Sequence, residues 1–133
     1  MGQEVNLALH RYLAEAGNVP FEWGENDCCL FVARFADIIT GSRIAREFAG
    51  KYNTQEGAKN IVKSLGLKTT ADLADRYLKR VACSHVGRGD VVTIAGALGL
   101  CDGRKSYFFV ENIGLLALRT SSAVAAWGIS CRK

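Results

Sequence analysis

Two adjacent cysteines, Cys28 and Cys29, stand directly after an acidic residue, Asp27, where a polar turn gives way to an apolar run. The stretch around them is Phe21-Glu22-Trp23-Gly24-Glu25-Asn26-Asp27-Cys28-Cys29-Leu30-Phe31, and it follows the only proline, Pro20. Asn26 or Asp27 suits a helix N-cap, because its side-chain oxygen accepts a first-turn backbone N–H. Cys28, Phe31, Phe35, Ile38 and Ile39 recur at the spacing of one helical stripe, and Thr40-Gly41 closes it. Cys28 is therefore expected in the first turn of a buried helix. Unpaired N–H groups and the positive end of the helix dipole lie there, and both favour the thiolate, the nucleophilic form. The competing reading is a small buried hydrophobe, which free cysteine often is. Trp23 reads either as a core anchor or as the wall of a cleft beside Cys28. Asp27 reads first as a cap and second as a substrate contact.

A cysteine nucleophile needs a base within hydrogen-bond reach, itself oriented by a third group. The chain has two histidines. His10 falls beside the apolar stripe of the first helix and reads as a rim residue. His85, in Ser84-His85-Val86-Gly87, is the remaining candidate base.

Residues 3 to 16 are expected to be helical, with Val5, Leu9, Tyr12 and Leu13 inward and Gly17-Asn18 as the stop. After the Cys28 helix, Ser42 is positioned to cap a short helix through Phe48. Thr54 opens a helix through Leu65 that Gly66 ends, with Ala58, Ile61, Val62 and Leu65 inward. Thr69 opens another that carries Leu73, Tyr77 and Leu78, and its spacing to Asp72 resembles a capping box. From Gly87 the pattern changes to short runs rich in Val, Ile, Phe and Tyr, which predict strands near 90–95, 97–102, 106–110, 114–119 and 124–130. Helices first and strands after predict an α+β fold, with N-terminal helices packed on a C-terminal antiparallel β-sheet. Arg88-Gly89-Asp90 is read as the turn before a strand.

The 133 residues suit one domain with its own core, spanning 1–133. Apolar residues make up 49%, which argues against disorder. No apolar run reaches the roughly 20 residues of a membrane span, so no membrane insertion is expected. Met1-Gly2-Gln3-Glu4 lacks a basic region followed by an apolar core, so cytoplasmic synthesis without a signal peptide is expected. Five cysteines, an odd number, argue for reduced thiols rather than a disulfide framework. No Cys-x-x-Cys occurs, so neither a metal nor another cofactor is expected. The net charge of +4 is scattered, without a basic stripe interleaved with aromatics, so nucleic acid is not an expected partner.

Trp23-Gly24-x-x-Asp27-Cys28-x-x-Phe31-Val32-Ala33 resembles the nucleophile motif of the NlpC-type peptidoglycan cysteine peptidases, in particular a small phage- and prophage-encoded branch found among tail genes. Further matches follow in order: Tyr52 with Gly57-Ala58, Gly89-Asp90-Val91-Val92, Ala97-Leu98-Gly99-Leu100, Gly103, Gly114-Leu115 and Ala126-Trp127-Gly128-Ile129. The resemblance spans about residues 5 to 130 and implies a papain-like fold, with Cys28 as nucleophile and a peptidoglycan stem-peptide amide as substrate. In that family the base is a His at the start of the strand after the Gly-Asp turn, and Ala97 stands there. A polar third residue is expected near Phe109 or Val110, and neither is polar; Glu111 and Asn112 lie close by. Two readings result. One is a cysteine hydrolase with Cys28 and His85 as catalytic residues and Trp23 and Asp27 at the substrate. The other is an inactive papain-like module for phage tail assembly or for binding a cell-wall peptide, with the virion as its place.

Overall fold

The computed structural model describes residues 2–132, the side chains of Ser130, Cys131 and Arg132 excepted. Four α-helices precede most of the sheet: α1 (Gly2–Ala16), α2 (Cys28–Thr40), α3 (Gln55–Ser64) and α4 (Thr70–Tyr77). The strands are β1 (Leu78–Val81), β2 (Val91–Ile94), β3 (Ala97–Asp102), β4 (Lys105–Val110), β5 (Gly114–Arg119) and β6 (Ala125–Arg132). They form one sheet in the order β1-β6-β2-β3-β4-β5, with every pairing antiparallel. The fold is α+β, as the order of patterns predicts.

Local chemistry explains most boundaries. Thr69 accepts the Asp72 N–H, and Asp72 accepts the Thr69 N–H, so the expected capping box is formed. Thr54 caps α3 through the Gly57 N–H. Gly41 ends α2 in the left-handed conformation, φ 71°, and donates to the Asp37 carbonyl. The β2–β3 hairpin has the two-residue loop Ala95-Gly96, both at positive φ, which is the primed turn that matches strand twist.

Three expectations need correction. Ser42 caps no helix. Its hydroxyl binds the Asp37 carboxylate, and the following segment is only a 3-10 turn, Ala45–Glu47, without a side-chain cap. Ile38 is 59% exposed; the buried face of α2 carries Leu30, Phe31, Val32, Ala33, Phe35 and Ala36. Leu78 belongs to no helix. It turns extended and opens β1, whose pairing with β6 no local pattern announces.

The sheet has two apolar faces. Val91, Leu98, Leu100, Phe109, Trp127 and Ile129 pack against Val5 and Leu9 of α1 and Phe31, Val32, Phe35 and Ala36 of α2. Residues one step along the strands, Val92, Cys101, Phe108 and Ala126, face the other way and gather Val81, Val86, Ala97 and Ala123. A third cluster joins Leu30 and Ala33 of α2 to Ala45, Phe48 and Leu73. Trp127 has no exposed surface, donates its indole N–H to Asp75 at 2.8 Å, and lies under the Arg80 guanidinium. Among the described residues no helix is long and apolar enough to cross a membrane.

Candidate functional site

The site grows from the turn before α2. Glu22 and Asn26 exchange backbone hydrogen bonds at 2.9 and 2.8 Å, which folds residues 22 to 26 into a tight loop. Gly24, at φ 85°, makes the corner, and its carbonyl accepts the Gly50 N–H. Asp27 is the N-cap, and its carboxylate serves three donors. Oδ1 accepts the Leu30 N–H at 3.0 Å, and Oδ2 accepts the Gly24 N–H at 2.9 Å and the Tyr52 hydroxyl at 2.6 Å. At 1% exposure this carboxylate is buried but fully hydrogen-bonded, so it ties loop, helix and the residue-52 segment together. Its first role is the expected cap; the second is a lock on Tyr52.

Cys28 is the first residue of α2, as expected, and is half-buried. The Leu30 N–H is used by the Asp27 side chain and the Phe31 N–H by the Asp27 carbonyl. The N–H groups of Cys28 and Cys29 at the helix start favour the Cys28 thiolate. The neighbouring Cys29 thiol, then these N–H groups, hold the Cys28 thiol below the usual cysteine range, against burial and the Asp27 charge. The same pairing with Cys28, together with burial, pushes the Cys29 thiol well up, so Cys29 stays protonated beside it. Tyr52 is close enough to feel both thiols. Cys28, Cys29, Asp27 and Tyr52 thus form one cluster at the start of α2.

The other expected residues lie elsewhere. His85 sits in an exposed 3-10 turn, Cys83–His85, with the Ser84 hydroxyl 3.4 Å from its Nδ1. Its neighbour Val86 packs on the sheet face turned away from α2. The structure therefore does not bring His85 to Cys28. His10 is exposed on α1, with Nε2 3.6 Å from the Asp102 carboxylate. Both histidines are among the described residues, and no imidazole contacts the Cys28 sulfur. Ala97 faces the outer layer while its neighbour Leu98 faces α2. Trp23 is half-buried; its indole N–H donates to Glu111 Oε2 at 2.9 Å, and its ring meets Phe21 edge-on at 4.9 Å. Phe21 in turn packs on Phe109, which stacks on Phe31. Trp23 thereby joins the loop to the β4–β5 turn. Among the described residues no cluster of three His, Cys, Asp or Glu side chains is placed to hold a metal ion.

Tyr52 is the participant that residue patterns left without a role. Its one visible signal was its place with Gly57-Ala58. A Cβ at Gly57 would sit 3.0 Å from Tyr52 Cβ, so glycine there makes room for the tyrosine. Burial, then the Asp27 bond, drive the Tyr52 phenol far above its ordinary value, and burial does the same to Tyr12. Both phenols are held neutral in the fold, whereas in the unfolded chain they ionise near 10.0. Their contribution to stability is therefore complete below pH 10 and is lost as pH rises above it. Tyr12 and Tyr52 are both half-buried, so each accounts for a solvent-screened fraction of the limit of about 1.4 kcal/mol per pH unit. Chemical denaturation of wild type, Tyr12→Phe and Tyr52→Phe between pH 8 and 11 checks this; each substitution is expected to flatten the alkaline decline.

The site thus defines a class: an α+β domain with a cysteine at the N-terminus of the helix that packs on its antiparallel sheet. The chain belongs to the family described as a domain of unknown function (DUF6950), which it matches over residues 3–129. No curated protein matches it.

Proposed function

We propose that this chain is a papain-like, NlpC-related domain of phage or prophage origin that binds a peptidoglycan stem peptide at the start of α2 without hydrolysing it, as part of a tail. The observation that carries this reading is the Cys28 cluster itself: a helix-terminal cysteine beside Cys29, Asp27 and Tyr52, with no imidazole at its sulfur. Amide hydrolysis needs a group to protonate the leaving amine, and here the nearby protons belong to phenol and thiol groups whose pKa values are raised. The resemblance supplies the stem peptide as ligand and the tail as setting.

A second reading, a cysteine hydrolase, is favoured by one observation, the lowered pKa of Cys28. Cys28 would attack the amide carbonyl, and N–H groups at the helix start would hold the oxyanion. Co-sedimentation with purified cell-wall sacculi, followed by assay for new amino termini, separates the two. Binding by the wild type without release of amines, weakened in Cys28→Ala, is the expected result. Release of amines that Cys28→Ala abolishes would establish the hydrolase instead, and absence of sedimentation would refute the wall ligand.

The thiol has its own test. Iodoacetamide is expected to alkylate Cys28 at a pH below the free-cysteine value of about 8.5, and the profile is expected to be the same in His85→Ala. The exposed Cys83 is an internal comparison. A shifted profile in His85→Ala would show a thiol–imidazole pair.

A further inference from the structure

The two edges of the sheet are guarded unequally. β1, at one edge, has four residues and carries Lys79 and Arg80, a short charged strand of the kind that keeps an edge from pairing with another chain. β5, at the other edge, has six residues, Gly114-Leu115-Leu116-Ala117-Leu118-Arg119, and no charge before the last. Among the described residues its backbone hydrogen bonds go to β4 alone. Half of the residues of an antiparallel strand turn their N–H and C=O to one side, so half of β5 presents them outward. Apolar surface accompanies that edge: Ile113, just before β5, is 63% exposed, and Leu118, within it, is 36% exposed.

The ends of β5 carry opposite charge. At the C-terminal end Arg119 lies across from Lys105 of β4, beside Arg104, and all three are exposed. Asp102, at the same end, is paired with Arg88 and stands 3.6 Å from His10. At the N-terminal end Glu111 is exposed and accepts the Trp23 indole N–H, which brings up the loop that carries the exposed Glu22 and Glu25. Arg34, which reaches that loop, gives one nitrogen to the Glu25 carbonyl. A strand paired antiparallel with a copy of itself sets the basic end of each against the acidic end of the other. A two-fold axis places one residue opposite its own copy. With that residue in the middle of β5, Arg119 comes opposite the segment from Glu111 to Leu115 of the second copy. A parallel pairing would set like charges together.

We infer that β5 pairs antiparallel with β5 of a second copy of this chain, joining the two six-stranded sheets into one across a two-fold axis, with the charged ends matched and Leu118 covered. The contact uses the same edge on both copies, so it closes at two. It does not involve the Cys28 sulfur and stands whether or not a wall peptide is the ligand.

Sedimentation velocity and amide hydrogen exchange on the whole chain test this. The 14.4 kDa chain is expected to sediment as a species of twice that mass that dissociates on dilution. Where about nine chains in ten are paired, the outward amides of β5 are expected to exchange about tenfold more slowly than in the dilute protein, while the β1 edge is unchanged. Leu118→Lys puts on β5 the kind of charge that β1 carries and is expected to give a monomer. Arg119→Glu and Glu111→Lys each set like charges together and are expected to weaken the dimer about tenfold at low salt. The double variant exchanges the two ends and is expected to recover the dimer, a result that local damage, such as loss of the Trp23 contact, does not produce. A wild type that stays monomeric up to about millimolar concentration, protection at β1 instead of β5, or a double variant no better than the single ones would each overturn the inference. The first of these outcomes would assign the β5 edge to a strand of a different protein.

Discussion

Gly24→Ala is expected to cost about 4 kcal/mol of stability, a large part of the roughly 5–15 kcal/mol that holds a domain of this size together. The corner at Gly24 has φ 85°, where an L side chain costs about 1–2 kcal/mol by sterics alone. A Cβ built there would also lie inside the Tyr52 carbonyl group, a backbone obstacle that no rotamer change removes. Relief requires the loop to move off the residue-52 segment. That breaks the hydrogen bond from Gly50 to the Gly24 carbonyl and strains the one from Gly24 to Asp27, each worth about 1 kcal/mol net. Gly96→Ala is the control. Its φ is 81°, nearly the same, but no atom lies near its added Cβ, so only the conformational penalty of about 1–2 kcal/mol is expected. Denaturant unfolding of the two variants measures the difference. Equal losses would mean that the close approach of Gly24 to Tyr52 contributes nothing.

Asp27→Asn is the second large effect, expected at about 3 kcal/mol. The carboxylate accepts from donors on both oxygens, and an amide offers only one oxygen. Its NH2 group must then face the Leu30 N–H or the Gly24 N–H, leaving a buried donor unsatisfied at a cost of about 1–3 kcal/mol beyond the lost charge-assisted cap of about 1 kcal/mol. Asp27→Ala, which keeps no acceptor at all, is expected to lose more. The same substitution has a chemical readout. The Asp27 charge pushes the Cys28 thiol pKa up, so Asp27→Asn is expected to move Cys28 alkylation to lower pH even as the fold weakens. A merely structural role for Asp27 would leave that profile in place. Thermal unfolding and iodoacetamide kinetics on one preparation distinguish the two.

The parts of the fold that local chemistry dictates were legible in the residues. Asp27 as a cap, the Thr69–Asp72 box and the Gly41 stop each depend on groups within four residues of one another. The strands from β2 to β5 were legible because short hairpin loops separate them. What escaped depends on distance along the chain. Tyr52 reaches Asp27 across 25 residues, and β1 exists only because β6 returns to pair with it. Ile38 misled because its spacing fits a stripe, while α2 turns Leu30 and Ala33 toward a second cluster under Phe48 and Leu73 and leaves Ile38 outside. His85 lies in an exposed 3-10 turn, and its neighbour Val86 packs on the sheet face turned away from α2. The cysteine at the head of α2 was visible, and so was Ala97 in the place of the family's histidine; which face each strand residue takes became visible only when both faces of the sheet were placed.

The position of β6 also governs the order in which the molecule can be completed. The strand comes last among those described, yet it lies inside the sheet, between β1 and β2. Until residues 125 to 129 have been made, β1 has no neighbour, β2 has an open edge, and the core lacks Trp127 and Ile129. Before that point the helices can meet β2, β3 and β4 through Val91, Leu98, Leu100 and Phe109, but the core between them is incomplete. That interval exposes a strand edge able to pair with other chains. The fluorescence of Trp127, dry only once β6 is seated, dates the closing of the sheet.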